Sequence, residues 1–140
     1  MSMNKVAILV KKAALQFDKL SNPILAEYDL TVAQFKVLKF LYVQPSRTAR
    51  VVDIEKYYSL THPTTIGLLD NLEKKGFITR IQNPADARSK LISLTDKADG
   101  MQSELEGLGD TLESGMTENL TEEEKTQLVS LLQKLIALED

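Results

Sequence analysis

Thr61-His62-Pro63-Thr64-Thr65-Ile66-Gly67-Leu68-Leu69-Asp70-Asn71-Leu72-Glu73-Lys74-Lys75-Gly76 carries a helix's start, its apolar stripe and its stop. Thr61 offers a hydroxyl to the unpaired backbone N–H groups of a first turn, and Pro63 sits where a missing N–H costs nothing. Ile66, Leu69 and Leu72 recur at three-residue steps, and Gly76 suits the left-handed residue that ends a helix. Taken over 64–75, the helix is about 18 Å long. Just upstream, Val51, Ile54 and Tyr58 predict a shorter helix over 51–58, linked through Ser59-Leu60-Thr61. Two short helices across so brief a connection are the minimal helix-turn-helix pattern.

After Gly76 the period changes from helical to alternating. Phe77-Ile78-Thr79-Arg80-Ile81-Gln82 predicts a strand and Leu91-Ile92-Ser93-Leu94 its partner. Between them, Asn83-Pro84-Ala85-Asp86-Ala87-Arg88-Ser89 is longer than most hairpin loops, and such loops more often bind something. A long-looped hairpin directly after a helix-turn-helix is a wing.

Farther out the chain is helical. Val6, Val10, Ala13, Phe17 and Leu20 predict a first helix over about 4–20, stopped by Ser21-Asn22-Pro23. Thr31-Val32-Ala33-Gln34 is a capping box opening a second helix, whose stripe is Phe35, Leu38, Leu41 and Tyr42. Thr95 starts a long helix bearing Met101, Leu105, Leu108, Leu112 and Met116. Gly100, Gly107, Gly109 and Gly115 interrupt it at about 1 kcal/mol each, so it should be bent, mobile or supported by a partner. A second capping box, Thr121 to Glu124, opens a last helix with Leu128, Leu131, Leu132, Leu135 and Leu138. The fold class is therefore mainly α with a little β: a winged helix-turn-helix with a two-stranded wing, flanked by N- and C-terminal helices.

Composition narrows the chemistry. The 140 residues contain no cysteine and one histidine, which excludes thiol redox sensing, disulfides and multi-histidine zinc. No cofactor or metal is expected. No apolar run approaches the ~20 residues of a membrane span, and the N-terminal stretch lacks the pattern of a signal peptide, so a cytoplasmic protein without membrane contact is expected. The net charge of −3 hides an asymmetry: residues 1–44 and 45–90 each balance at +3, and residues 91–140 at −9. A basic middle joined to an acidic end suits two jobs in one chain. Nothing resembles catalytic machinery: Gly107-Leu108-Gly109 follows no strand, and Glu122-Glu123-Glu124 is accounted for by the helix dipole.

The order of elements resembles the MarR family across nearly the whole chain. The run His62 to Ile78, with its Leu-Glu-x-x-Gly-aromatic close, and the run Asn83 to Thr95, with its Asp-x-Arg and Leu-Thr, carry the resemblance; Leu30 to Phe35 supports it. The resemblance implies a homodimeric transcriptional regulator, a repressor, on palindromic double-stranded operators, relieved by a small-molecule effector lodged between dimerisation and DNA-binding parts. It implies dimerisation through residues 1–30 and 95–140, with 31–94 as the DNA-binding domain. Three positions depart from the pattern: Glu55 stands where alanine is common, and Gly67 where a larger polar or basic residue is common. Ser59 likewise occupies a turn position often held by glycine.

These parts assign roles. A recognition helix presents its N-terminal side chains to base edges, here His62, Thr64, Thr65 and Gly67, the last permitting close backbone approach. In the wing, Arg88 suits a narrow minor groove, Asp86 orients an arginine, and Lys90 lies alongside. Arg47, Arg50, Lys74, Lys75 and Arg80 are candidates for phosphate contacts that give register and affinity. The plainer alternatives are that Thr61 to Thr65 only cap a helix and that the wing is a solvated turn. A winged-helix adaptor that binds protein instead of DNA is the competing function, left open by Glu55, Gly67 and the acidic total.

Overall fold

The computed structural model describes residues 2–137. Its elements run α1 (Val6–Ala26), α2 (Val32–Tyr42), β1 (Thr48–Ala49), α3 (Val51–Tyr58), α4 (His62–Lys74), β2 (Ile78–Asn83), β3 (Asp86–Leu94), α5 (Asp96–Gly100), α6 (Gln102–Met116) and α7 (Glu122–Ile136). Leu138, expected on the last apolar stripe, lies outside the described residues.

The caps read from sequence organise the middle of the chain. Thr31 Oγ1 accepts from the Gln34 N–H at 3.2 Å while Gln34 Oε1 accepts from the Thr31 N–H at 3.1 Å, closing the box that starts α2. Thr121 and Glu124 do the same for α7. At the end of α4, Gly76 adopts φ 83°, the Phe77 N–H reaches Leu72 O, and the Gly76 N–H reaches Glu73 O. That pair of bonds satisfies carbonyls the helix leaves open and turns the chain sharply into β2. The Thr95 hydroxyl then donates to Gly76 O at 2.6 Å, tying the far end of the hairpin to the same corner.

The core lies between α2, α3, α4 and the sheet. Leu38, Leu41, Ile54, Leu69, Leu72, Phe77, Ile78 and Ile92 are fully buried there. Leu25, Leu105 and Leu112 bury the inner parts of α1 and α6 in the same cluster. Tyr42 spans the two regions, its hydroxyl donating to Ala98 O at 2.5 Å.

Four expectations are corrected. First, α1 continues through Pro23 to Ala26, because burying Leu25 outweighs the one intrahelical bond that proline removes. Second, the sheet has three antiparallel strands in the order β1-β3-β2, since Thr48 and Ala49 pair with Ser93 and Ile92. The hairpin β2–β3 alone remains the wing. Third, the seven-residue loop is instead a tight turn at Pro84-Ala85, with Asn83 opposite Asp86. Gln82 pairs with Lys90, so Ala87, Arg88 and Ser89 bulge from β3. Fourth, the long helix after Thr95 is two: α5 ends at Gly100, and α6 begins after Met101.

The outer helices look different. Every described residue of α7 is at least partly open, with none buried, and Leu128, Leu131, Leu132, Leu135 and Ile136 are exposed. Val6, Leu9 and Val10 of α1 are exposed as well. These three, Met116 and the four α7 leucines line an open apolar groove of about 740 Å³.

Candidate nucleic-acid interface

Two parts of the α2–α4 and sheet module expose candidate residues: the N-terminal turns of α4, and the wing. Thr61 Oγ1 accepts from the Thr64 N–H at 3.3 Å and so defines where α4 starts. His62, Pro63, Thr64 and Gly67 are exposed on that helix. A Cβ built on Gly67 meets nothing within 4 Å, so no contact inside the protein requires glycine there. Its cost in a helix, about 1 kcal/mol, has no offset within the chain.

Thr65 is a correction. It is fully buried, with Oγ1 donating to Thr61 O at 2.9 Å, so it secures the first turn of α4 and offers nothing to a base. The three-residue rotation from Thr61 to Thr64 puts Thr64 outward and its neighbour inward.

The wing is held by its own polar side chains. Asn83 Oδ1 accepts from the Ala85 N–H at 2.9 Å, and Asn83 Nδ2 donates to Ser89 Oγ at 3.0 Å. Asp86 Oδ1 accepts from the Arg88 N–H at 3.0 Å and lies 3.4 Å from Arg88 Nε. Asp86 therefore shapes the bulge more firmly than it grips the guanidinium. The Arg88 side chain is 93% exposed, the end of a projecting cationic arm. Lys90 donates to Gln82 Oε1 across the hairpin at 3.2 Å.

The candidate phosphate ligands divide. Lys74 is exposed on α4. Arg50 forks onto Asp53 through Nε at 3.1 Å and Nη2 at 2.9 Å, and this pair closes the start of α3. The same contact raises the arginine's pKa and lowers the carboxyl's below its ordinary value. Arg47 pairs with Asp99 at 3.0 Å. Two assignments are corrected. Arg80 is bound by both Asp70 and Glu73 of α4, so its charge braces strand to helix. Lys75 Nζ donates to Asp29 O at 2.7 Å and to Gln34 Oε1 at 2.9 Å, so it joins α4 to the α1–α2 corner.

One contact at the candidate site escaped sequence reasoning. His62 Nδ1 lies 2.6 Å from Glu55 Oε1, bridging α3 to the first residue of α4. The Glu55 side chain is 19% exposed and that of His62 69%. The signal available was the seven-residue spacing across the turn, joined to the oddity of an acid at position 55.

A second cavity lies between α1, α2 and α3. Phe17, Phe35, Phe40, Tyr57 and Tyr58 form its walls, with Lys36 and Lys39 at its rim and a volume of about 400 Å³. Lys36 Nζ stands 5.7 Å from the Tyr58 ring centre and Lys39 Nζ 5.5 Å from that of Phe35. The Tyr58 hydroxyl donates to Lys36 O at 2.7 Å, and burial pushes its pKa up to about 12. Among the described residues no helix is long and apolar enough to cross a membrane, and no group of three or more His, Cys, Asp or Glu could hold a metal ion.

A helix-turn-helix whose second helix exposes its N-terminus, followed by a hairpin that carries an exposed arginine, defines the winged-helix class of nucleic-acid-binding modules. The sequence profile of the MarR family matches residues 30–90. The multiple antibiotic resistance protein MarR of Escherichia coli K12 is 33% identical over 120 residues, 85% of this chain and 82% of that protein. A crystal structure of a mutant E. coli MarR complexed with operator DNA superposes with a TM-score of 0.83 at 31% identity, covering 93% of this chain and 92% of that one. The Staphylococcus aureus MepR–DNA complex gives 0.84 at 28% identity, covering 95% and 97%. The chain belongs to the MarR family of winged-helix transcriptional regulators.

Proposed function

We propose that this protein is a sequence-specific regulator of transcription, a repressor, that binds palindromic double-stranded DNA as a homodimer in the cytoplasm. One observation carries the reading: a 93%-exposed arginine on a self-braced wing, together with an exposed α4 N-terminus, on a scaffold matching an operator-bound relative with a TM-score of 0.83. In this reading His62, Thr64 and Gly67 face the major groove, Arg88 enters the flanking minor groove, and Lys74 and Lys90 meet phosphates. Glu55 is accounted for by its pairing with His62, so it no longer favours a protein-binding adaptor.

Residues 1–30 and 95–140 form the dimerisation region in this proposal. A 15-residue helix with no buried residue is marginal by itself in water, so α7 needs a surface to cover its leucines. A second copy supplies the same apolar α1 and α7 faces and spaces two recognition helices about 34–36 Å apart. The aromatic cavity between α1, α2 and α3 adjoins both parts, and its lysine rim on aromatic walls fits a small planar anion as effector.

Selection of bound sequences from a random duplex library tests the central reading. A palindrome with half-sites one helical turn apart is expected. Failure to retain any duplex at low salt would refute it.

A further inference from the structure

Glu55 and His62 belong together, and their geometry has a consequence for base choice. His62 is the first residue of α4 and the only imidazole in the chain. Its Nδ1 lies 2.6 Å from Glu55 Oε1, although the ring is otherwise open to solvent. An ionised carboxylate only accepts hydrogen bonds, so the ring nitrogen facing it must carry the proton. The neutral ring is thereby fixed as its Nδ1–H form, and the outward Nε2 is left as a bare acceptor. An acceptor cannot bond the O6 or N7 of guanine, which accept as well. It bonds an exocyclic amine on the major-groove edge, cytosine N4 or adenine N6.

We propose that Glu55 is a specificity-determining positioning residue: by holding Nδ1–H of the neutral His62 ring it makes Nε2 an acceptor that selects an amino-bearing base and rejects guanine. The proposal rests on the reading of α4 as the DNA-reading helix. Its distinctive content is that the selectivity resides in a residue of α3 that touches no DNA. Glu55 can hold the ring because its side chain is largely sheltered while its Oε1 reaches His62 Nδ1. The shelter of the Glu55 side chain beside an exposed imidazole separates a positioning contact from an incidental surface pair.

The experiment has two arms, both with the ring titrated to its neutral form. Long-range ¹H–¹⁵N correlation on the intact protein reads the tautomer directly, and a single histidine needs no assignment. The Nδ1–H pattern is expected for the native protein, and a mixture or the Nε2–H pattern for Glu55→Ala. Duplex selection then compares the native protein with Glu55→Ala, Glu55→Gln and His62→Ala. The native protein should prefer an amino-bearing base over guanine by about tenfold at one symmetric position in each half-site. Glu55→Ala should bring that ratio to within about twofold while leaving the other positions unchanged. Glu55→Gln keeps the shape, and its amide accepts or donates, so it should relax the ratio as well should the alanine variant fold poorly. An Nε2–H native ring, or undiminished discrimination in both Glu55 variants, overturns the role of Glu55. Unchanged preference in His62→Ala overturns the reading of the α4 N-terminus itself, and with it this proposal.

Discussion

Replacing Arg88 with alanine separates affinity from folding. The guanidinium is 93% exposed and its one ionic partner, Asp86, lies at 3.4 Å, so its loss should change stability by no more than about 0.5 kcal/mol. The bulge keeps its shape, because the bond that forms it runs from the Arg88 backbone N–H to Asp86 Oδ1 and survives in alanine. The effect on DNA should be large by contrast. One arginine in a minor groove contributes about 1–2 kcal/mol, and a dimer loses two, so affinity should fall by about 30- to 1,000-fold. Each arm neutralises about one phosphate's worth of charge, so the slope of log K against log salt should become shallower by about 1.8 for the dimer. Fluorescence polarisation of a labelled operator across about 50–200 mM salt reads both quantities at once. Native affinity with a native slope would remove the wing from recognition. Lost affinity with an unchanged slope would show that Arg88 acts through wing shape and not through its charge.

Three further outcomes follow from particular residues. Gly67→Ala should raise stability by about 1 kcal/mol, because its Cβ meets open space, and weaken operator binding by about tenfold; thermal denaturation and a binding titration check the opposite signs. Ser59 occupies the left-handed region at φ 55°, where a side chain is strained, so Ser59→Gly should stabilise by about 1 kcal/mol in a urea titration. Burial, with the Asp99 carboxylate adding to it, pushes the Tyr42 pKa from 10.0 to about 12. Its stabilising contribution is therefore complete below about pH 10 and is lost as pH rises toward 12, by about 3 kcal/mol. Tyr42→Phe should lose about 1 kcal/mol near neutrality with the hydrogen bond to Ala98, yet decline less steeply in urea midpoints above pH 10. An alkaline decline as steep as the native one would contradict that assignment.

Local chemistry in the chain was enough to place α2 and α4 and the start of α7, since each begins or ends on residues whose effect is confined to one turn. Thr31 with Gln34, Thr61 with Pro63, Gly76 and Thr121 all act over at most four residues, and all appear where their types require. The resemblance in the Leu-Glu-x-x-Gly and Asp-x-Arg runs likewise lies in contiguous residues. Contacts between distant residues were not legible in this way. The burial of Leu25 that carries α1 past Pro23, the strand that Thr48 and Ala49 add beside β3, and the capture of Lys75 and Arg80 by protein partners depend on packing. A lysine looks the same in sequence whether a carbonyl or a phosphate awaits it. Periodicity fixes which face of a helix is apolar but not which surface covers it, and a hydrogen bond such as Glu55 to His62 exists only once α3 and α4 are set at one particular angle.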